Sequence, residues 1–237
     1  MGGPGEFPAT QWSLVLRAGA RADTSQVALE SLARTYWNPL YAYLRRDGHD
    51  VHAAEDLLQG FFARLLARED LATVAPAQGR FRSYLLAGLR NFLVSEARRE
   101  QAQKRGGRHE VVALETERFE SELAGSVTPP ASPEVEFDRR WARTILERAL
   151  DRLRAEHAGR GKGDLYDTLK PGLLGESEAD YARLGQAAGL TPGAVAVAVH
   201  RLRHRLRELV RLEVVQTVGS AAELDEEMRH LLRVWTL

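Results

Sequence analysis

The chain has 237 residues, of which 44% are hydrophobic and 28% charged, a composition that is typical of folded domains and excludes a wholly disordered or collagen-like chain. It contains no cysteine, so disulfides, thiol catalysis and cysteine-ligated metal centres are excluded. Its 33 Lys and Arg residues balance 33 Asp and Glu residues, and binding to a polyanion must therefore come from local separation of charge.

The apolar segments indicate a chain that does not enter a membrane. The longest apolar runs, such as residues 194–199, are far shorter than the roughly 20 residues that span a bilayer. Residues 1–8 lack the basic region and apolar stretch of a leader peptide. We therefore predict a cytoplasmic protein with no membrane partner.

Three amphipathic helices are predicted in the first half of the chain. Between Leu29 and Leu44, apolar residues recur at spacings of three and four, which is the period of one helix face. A second helix follows a turn at residues 47–50, and a third is predicted over about residues 80–100. The second helix has apolar residues on more than one side between residues 56 and 66, which fits either full burial or an exposed docking face. No segment shows the alternation of a strand, and the predicted fold class is all-α.

Charge is separated into blocks near the middle of the chain. Residues 78–108 contain eight Lys or Arg and two Glu, whereas residues 109–140 contain eight acidic and three basic residues. Inside the acidic block, residues 126–133 include three prolines and show no helical period, because proline lacks the amide donor that a helix needs. This segment predicts a linker between two small helical domains.

The first basic block combines aromatic and cationic side chains. Phe81, Tyr84 and Phe92 lie among arginines on the predicted third helix, and aromatic rings beside cations suit single-stranded DNA, whose bases expose flat apolar faces. For Phe81 and Phe92, filling the helical core is the better interpretation. The residues predicted to bind single-stranded DNA are Arg80, Arg82, Tyr84, Asn91, Arg98, Arg99, Lys104 and Arg105.

A helix-turn-helix pattern follows the linker. After a long helix that ends near residues 157–159, a short helix stops before Gly189, a residue that tolerates the left-handed backbone of a turn. Thr191 is a typical helix N-cap, and Pro192 suits the first position of the next helix. This order of residues predicts two helices of the kind that places side chains in the major groove of DNA.

The second helix of this pattern has an apolar face and a cationic face. Val195, Val199, Leu202, Leu206 and Leu209 alternate spacings of four and three and form the predicted buried stripe. Residues 191–211 contain five Arg, two His and one Glu, a local charge sufficient to engage phosphates, although an ordinary solvated basic face is the alternative interpretation. The residues predicted to bind duplex DNA are Thr191, Gly193, Ala194, Val197, His200, Arg201, Arg203, His204 and Arg205.

The sequence contains no complete motif for catalysis or metal binding. His200 and His204 have the spacing of zinc ligands, but Arg201 stands where a zinc-protease pattern requires Glu. A polar helix start explains His49 and His52, and the glycine-rich residues 159–163 lack the spacing of a phosphate loop. We predict no enzymatic activity, no cofactor and no metal site.

In chain order, these parts resemble the extracytoplasmic-function (ECF) sigma factors of bacterial RNA polymerase. Residues 36–41 and 54–65 are similar to the family's polymerase-docking segment. Residues 79–99 resemble the segment that melts and captures the minus-ten promoter element, and residues 181–205 resemble the reader of the minus-thirty-five element. The resemblance covers most of the chain.

A subgroup of the family is also indicated. Residues 7–13, 103–107 and 223–232 resemble ECF sigma factors found in planctomycete-like bacteria. One departure is Ala196, where the family often has Lys or Arg, since alanine lacks the charge for a phosphate contact at that position. Residues 214–237 also exceed the minimal two-domain pattern of the family.

The resemblance implies a non-catalytic subunit that binds core RNA polymerase and promoter DNA, both duplex and single-stranded. It divides the chain into a docking and melting domain (1–104), an acidic linker (105–133), a helix-turn-helix domain (134–213) and a helical extension (214–237). Magnesium chemistry would belong to the core enzyme. The residues implied in docking on the clamp of the largest core subunit are Asp56, Leu57, Gln59, Gly60, Phe61 and Arg64.

Two other functions remain open. A helix-turn-helix regulator that binds operators would use the second half of the chain but leave the docking segment without a role. A protein-interaction adaptor would use the acidic segments but leave the arginines without a role. The sequence also leaves open the promoter, the inducing signal and whether an anti-sigma factor or another regulator binds the chain.

The carboxyl-terminal residues allow two interpretations. Residues 213–227 contain five acidic residues and no Lys or Arg, and they would compete with DNA for the basic helix as an electrostatic brake. Alternatively, Leu224, Met228, Leu231 and Trp235 form an ordinary helix face that packs against the second domain.

Overall fold

The computed structural model describes residues 23–66, 80–103, 132–173 and 178–235, and all regular structure in these residues is helical. The prediction of an all-α fold is therefore confirmed. Long helices form where apolar residues recur at the helical period, and the breaks between them contain glycine or proline. The elements are α1 Asp23–Arg46, α2 Val51–Leu66, α3 Phe81–Gln103, α4 Pro133–Ala158, α5 Gly163–Leu169, a 3-10 helix Lys170–Leu173, α6 Glu178–Ala188, α7 Pro192–Val215 and α8 Ala221–Trp235.

The described residues divide into two compact units. Helices α1 to α3, the start of α4 up to Thr144, and α8 belong to the first unit, and residues 145–214 form the second. The unit boundaries therefore fall within α4 and α7, whereas the predicted linker lies outside the described residues except for Ser132 and Pro133. The last helix joins the first unit, which corrects the interpretation that it packs against the second domain.

Aromatic side chains form the core of the first unit. The ring of Tyr36 is fully buried, meets Phe81 edge to face at 5.1 Å between ring centroids and stacks on Phe137 at 6.3 Å. The indole nitrogen of Trp141 donates a hydrogen bond to the Tyr36 hydroxyl at 3.1 Å. Burial raises the pKa of Tyr36, and the negative charge of Glu227 adds to this effect, so the phenol stays neutral at physiological pH.

The joint between α1 and α2 forms where the sequence predicts it. Helix α1 ends at Arg46, and Gly48 adopts a left-handed backbone with a φ of 98°. The Asp50 carboxylate then accepts a hydrogen bond of 2.8 Å from the amide of Ala53, which satisfies a free donor at the start of α2. Local residue types alone thus explain this turn.

The turn between α6 and α7 depends on two glycines. Gly189 has a φ of 66°, and the amide of Leu190 donates to the Gly185 carbonyl at 2.9 Å. The Thr191 hydroxyl accepts a hydrogen bond of 3.3 Å from the amide of Ala194, as expected for a helix N-cap. A Cβ atom on Gly185 would lie 2.6 Å from the carbonyl oxygen of Leu190, so the chain can approach this closely only at a glycine.

Replacing Gly185 by alanine is expected to lower the free energy of unfolding by about 2 kcal/mol, because the new methyl group overlaps a backbone oxygen that cannot rotate away. Gly193→Ala is the matched control, since a Cβ at Gly193 meets no atom within 4 Å. We expect this control to change stability by at most about 1 kcal/mol, in the stabilising direction. Urea unfolding followed by circular dichroism measures both variants, and equal stability of the two would contradict the close approach at Gly185.

Candidate nucleic-acid and partner interfaces

Helix α7 presents a continuous exposed face to solvent. Val195, Val199, Leu202 and Leu209 are buried on its other side, as their spacing predicts, whereas Leu206 is only half-buried. Seven of the nine residues predicted to bind duplex DNA are exposed, and Arg207, which is not among the nine, lies next to them at the helical period. The residues of this α7 face are Gly193, Ala194, Val197, His200, Arg201, His204 and Arg207.

The α7 face carries cationic side chains that the protein leaves available. Arg201 and Arg207 are exposed, and neither has an acceptor within the part of the chain that the structure describes. Val197 is exposed between them and the amino terminus of the helix. This combination provides charge for phosphates, donors for base edges and an apolar contact for a thymine methyl group.

Two other arginines of α7, both predicted to contact DNA, form hydrogen bonds within the second unit. Arg203 donates to the backbone oxygens of Gly172 at 3.0 Å and Leu173 at 3.2 Å, where the 3-10 helix ends. Arg205 donates twice to Glu156, at 2.9 and 2.6 Å, and once to Glu208 at 2.6 Å.

Through these hydrogen bonds, Arg203 and Arg205 hold α7 against the rest of the second unit. The hydrogen bonds that Arg205 donates to both carboxylates raise the pKa of Arg205 far above its usual range, and the bonds that Glu156 accepts from it lower the pKa of Glu156. Their donors point to acceptors of the protein itself, so in this structure the α7 face consists of the exposed residues alone.

Helix α3 has a second exposed polar face. Tyr84, Asn91 and Arg98 follow each other at intervals of seven residues, which is two helical turns or about 10.5 Å, and they therefore lie on one side of the helix. Asn91 and Arg98 are exposed, and Tyr84 is half-buried against Phe81, with ring centroids 6.2 Å apart. We refer to these three residues as the α3 face.

The remaining residues predicted to bind single-stranded DNA have different surroundings. Arg99 is exposed and lies 3.6 Å from Glu96. Lys104 and Arg105 lie outside the described residues. Arg82 lies on the side of α3 opposite the α3 face, and Arg80 immediately precedes α3; both contact α8.

Arg82 is buried and binds two carboxylates. Its Nε and Nη2 atoms donate to the two oxygens of Glu227 at 3.1 and 3.0 Å, and Nη1 donates to Asp138 at 2.5 Å. Arg80 adds a bond of 3.0 Å to the same Glu227 carboxylate. We call this group the Glu227 cluster.

The charges in the Glu227 cluster are well compensated. Burial by itself would lower the pKa of Arg82, but the hydrogen bond and charge of Glu227 outweigh burial and raise it. The guanidinium also lies over the Trp141 ring, 5.2 Å from its centroid. Arg82 therefore stays charged in the interior of the first unit.

A groove separates α2 from the second half of α3. Its volume is about 950 Å³, and it is open to solvent. Four of the six predicted docking residues line it, namely Asp56, Leu57, Gly60 and Arg64, and residues 92–94, 96, 97 and 99 form its other wall. We call it the α2–α3 groove.

The two other predicted docking residues lie elsewhere. Phe61 is buried in the core of the first unit, where its ring lies 5.8 Å from that of Phe92 and 5.5 Å from that of Phe62. Gln59 is half-buried and does not line the groove. Gly60 permits the close packing of the two helices, since a Cβ there would lie 3.2 Å from the Phe92 ring. The groove thus depends on a phenylalanine core beneath it.

Comparison with known proteins identifies no family. No family model, curated protein or solved structure matches this chain. Within the described ranges, no helix has both the length and the apolar character that crossing a membrane requires. The α7 face, the α3 face and the α2–α3 groove are therefore the surfaces from which a function can be inferred.

Proposed function

We propose that this chain is a sigma factor of the ECF type, which binds core RNA polymerase and directs transcription initiation at promoters. The observation that carries the proposal is that one helix, α3, contributes to two surfaces. One side of α3 forms a wall of the α2–α3 groove, and another side carries the α3 face with an aromatic residue, an amide and an arginine. An operator-binding regulator needs the α7 face but has no use for this combination. In a sigma factor, the α2–α3 groove, the α7 face and the α3 face would each have a role.

The α2–α3 groove is the proposed docking surface for core polymerase. Its lining combines carboxylate, guanidinium and apolar groups, such as Asp56, Arg64 and Leu57, which suits a helical segment that carries both charged and apolar side chains. The clamp of the largest core subunit is the proposed partner. Phe61 contributes by supporting α2 from within.

The α7 face is the proposed reader of the upstream duplex element. Side chains from the first turns of a recognition helix reach base edges in the major groove, and the amides at its amino terminus approach phosphates. Arg201 and His204 supply donors for base edges, Val197 supplies an apolar contact, and Arg207 extends the positive charge along the helix. Arg203 and Arg205 keep α7 in place for this contact.

The α3 face is the proposed binding surface for the melted downstream element. Tyr84 offers a ring on which a base can stack, Asn91 offers both a donor and an acceptor to a base edge, and Arg98 offers a cation to the backbone. Unpaired bases expose the edges and faces that these groups recognise. The chain itself supplies no catalytic group in this mechanism.

Run-off transcription with purified core polymerase tests the proposal directly. A template set of bacterial promoter fragments should give a discrete transcript with core and chain together and none with core alone. A chain that binds duplex DNA but supports no transcript would instead be an operator-binding regulator. A chain that binds neither DNA nor core would be an adaptor for other proteins.

A further inference from the structure

Arg80, immediately before α3, and Arg82, in its first turn, share one carboxylate from α8. Arg82 binds both oxygens of Glu227 through Nε and Nη2, and Arg80 binds one of them through Nη1, all at 3.0 to 3.1 Å. Glu227 is fully buried, although it lies 145 residues from Arg82 along the chain. Two guanidinium groups thus converge on a single anion inside the first unit.

This geometry is suited to a phosphate as well as to a carboxylate. The parallel N–H donors of an arginine fork match two oxygens of either anion, and a second arginine on the same oxygen favours a group with more negative charge. Asp138 binds Arg82 from another side, so Arg82 keeps a partner when Glu227 leaves. Arg80 lies 3.6 Å from the exposed Glu226 and otherwise depends on Glu227.

A cavity beside α8 exposes Arg80, the outer member of the Glu227 cluster, to solvent. The cavity has a volume of about 520 Å³ and is lined by Arg80, Glu226, Arg229, Leu232 and Arg233, three of which are arginines. The Arg80 side chain is 32% exposed, against 10% for Arg82. An anion that enters the cavity therefore meets Arg80 first and Arg82 only after Glu227 has moved.

We propose that Arg80 and Arg82 form an anion site that Glu227 occupies in the free chain, and that a backbone phosphate of single-stranded DNA competes with Glu227 for it. The identity of the ligand rests on the proposed function, which brings single-stranded DNA to the α3 face of the same helix. Because Glu227 is tethered to the site, its effective concentration is high, and free single strands bind weakly until other contacts assist them. The last helix thus restrains the DNA-binding surface of α3.

Displacement of Glu227 requires movement of α8. A carboxylate that loses both cations cannot stay in a fully buried position, because an unpaired buried charge is strongly unfavourable. Besides Glu227, the buried Leu224 and Leu231 attach α8 to the first unit, whereas the chain ahead of α8 has its own attachment, because the amide of Phe81 donates to the Thr217 carbonyl at 3.1 Å. We therefore expect α8 to loosen while the chain ahead of it stays attached.

The first test compares Glu227→Gln with Asp225→Asn in the full chain. Both variants remove one negative charge from α8, but Asp225 is exposed and does not line the cavity, whereas the Glu227 side chain is 1% exposed. By fluorescence anisotropy with a labelled single-stranded oligonucleotide, Glu227→Gln should bind about tenfold more tightly than the wild type, because a charged hydrogen-bonded competitor is weakened. Asp225→Asn should differ from the wild type by less than about twofold. Adding Arg80→Ala to Glu227→Gln should abolish the gain.

The second test uses the wild-type chain and so does not depend on how a variant folds. Saturating single-stranded oligonucleotide should accelerate amide hydrogen exchange in residues 221–235, since displaced Glu227 loosens α8. Unchanged or slower exchange there would overturn the proposal, as would a Glu227→Gln variant that loses heat stability and binds DNA no more tightly. Absence of a run-off transcript with the wild-type chain would reject the sigma function, and it would leave both of these measurements interpretable.

Discussion

Core RNA polymerase is expected to bind the Asp56→Arg variant about thirtyfold more weakly than the wild-type chain, which corresponds to about 2 kcal/mol lost from an interface hot spot. Asp56 is exposed on α2 and lines the α2–α3 groove, so its carboxylate is available to a cationic group of the clamp. Reversing the charge replaces this attraction by repulsion in a surface that the partner desolvates. A titration of fluorescently labelled chain with purified core measures the affinity.

Asp151→Arg serves as the control for this change. Asp151 is an exposed carboxylate on α4 in the second unit, and its reversal alters the net charge of the chain by the same amount. We expect the control to bind core as tightly as the wild type, and both variants to keep the wild-type helix content. Wild-type affinity in Asp56→Arg would exclude the α2–α3 groove as the docking surface.

Assays with promoter DNA should distinguish the role of the α7 face from that of the α3 face. Arg201→Ala, which removes an exposed cation with no partner in the described residues, is expected to weaken binding to an upstream duplex element about tenfold, the effect of one good base contact. Asn91→Ala should leave this duplex affinity unchanged and reduce open-complex formation, because an amide on α3 contacts only unpaired bases in the proposed mechanism. Gel-shift titration measures the first property and permanganate footprinting the second.

Each of these variants is the control for the other, and Arg160→Ala controls for loss of an exposed positive charge elsewhere in the second unit. If Arg201→Ala binds the duplex as tightly as Arg160→Ala does, the α7 face is excluded as the surface that reads the upstream element. Wild-type permanganate reactivity in Asn91→Ala would remove the α3 face as the single-strand surface. The two outcomes are independent, so one face can be rejected while the other stands.

Local features of the structure were accessible from the sequence because a few neighbouring residues determine them. The apolar spacing of Val195, Val199, Leu202 and Leu209 identified the buried side of α7, since a helix with 3.6 residues per turn places these positions on one face. The turn at Gly189 and the cap at Thr191 were predictable for the same reason, because glycine tolerates the left-handed backbone and a hydroxyl satisfies a free amide.

Packing between helices selects which of their polar side chains are available to a ligand. The helical period assigns Arg201, Arg203 and Arg205 to the polar side of α7, yet only packing supplies Gly172, Leu173 and Glu156 as acceptors for the latter two. Phe61 likewise belongs to a sequence segment that fits either burial or docking, and its contact with Phe92 resolves that choice in favour of burial.

The Glu227 cluster is the clearest case of a feature outside the reach of local sequence. Local residue patterns predict the long helices, the turn before α7 and the segregation of positive charge, because each of these depends on residues within a few positions of one another. The pairing of Arg80 and Arg82 with a carboxylate about 145 residues away arises only when α8 packs on the first unit. Such a contact leaves no periodic signal, because it is selected by burial and charge compensation between distant segments rather than by the geometry of either helix.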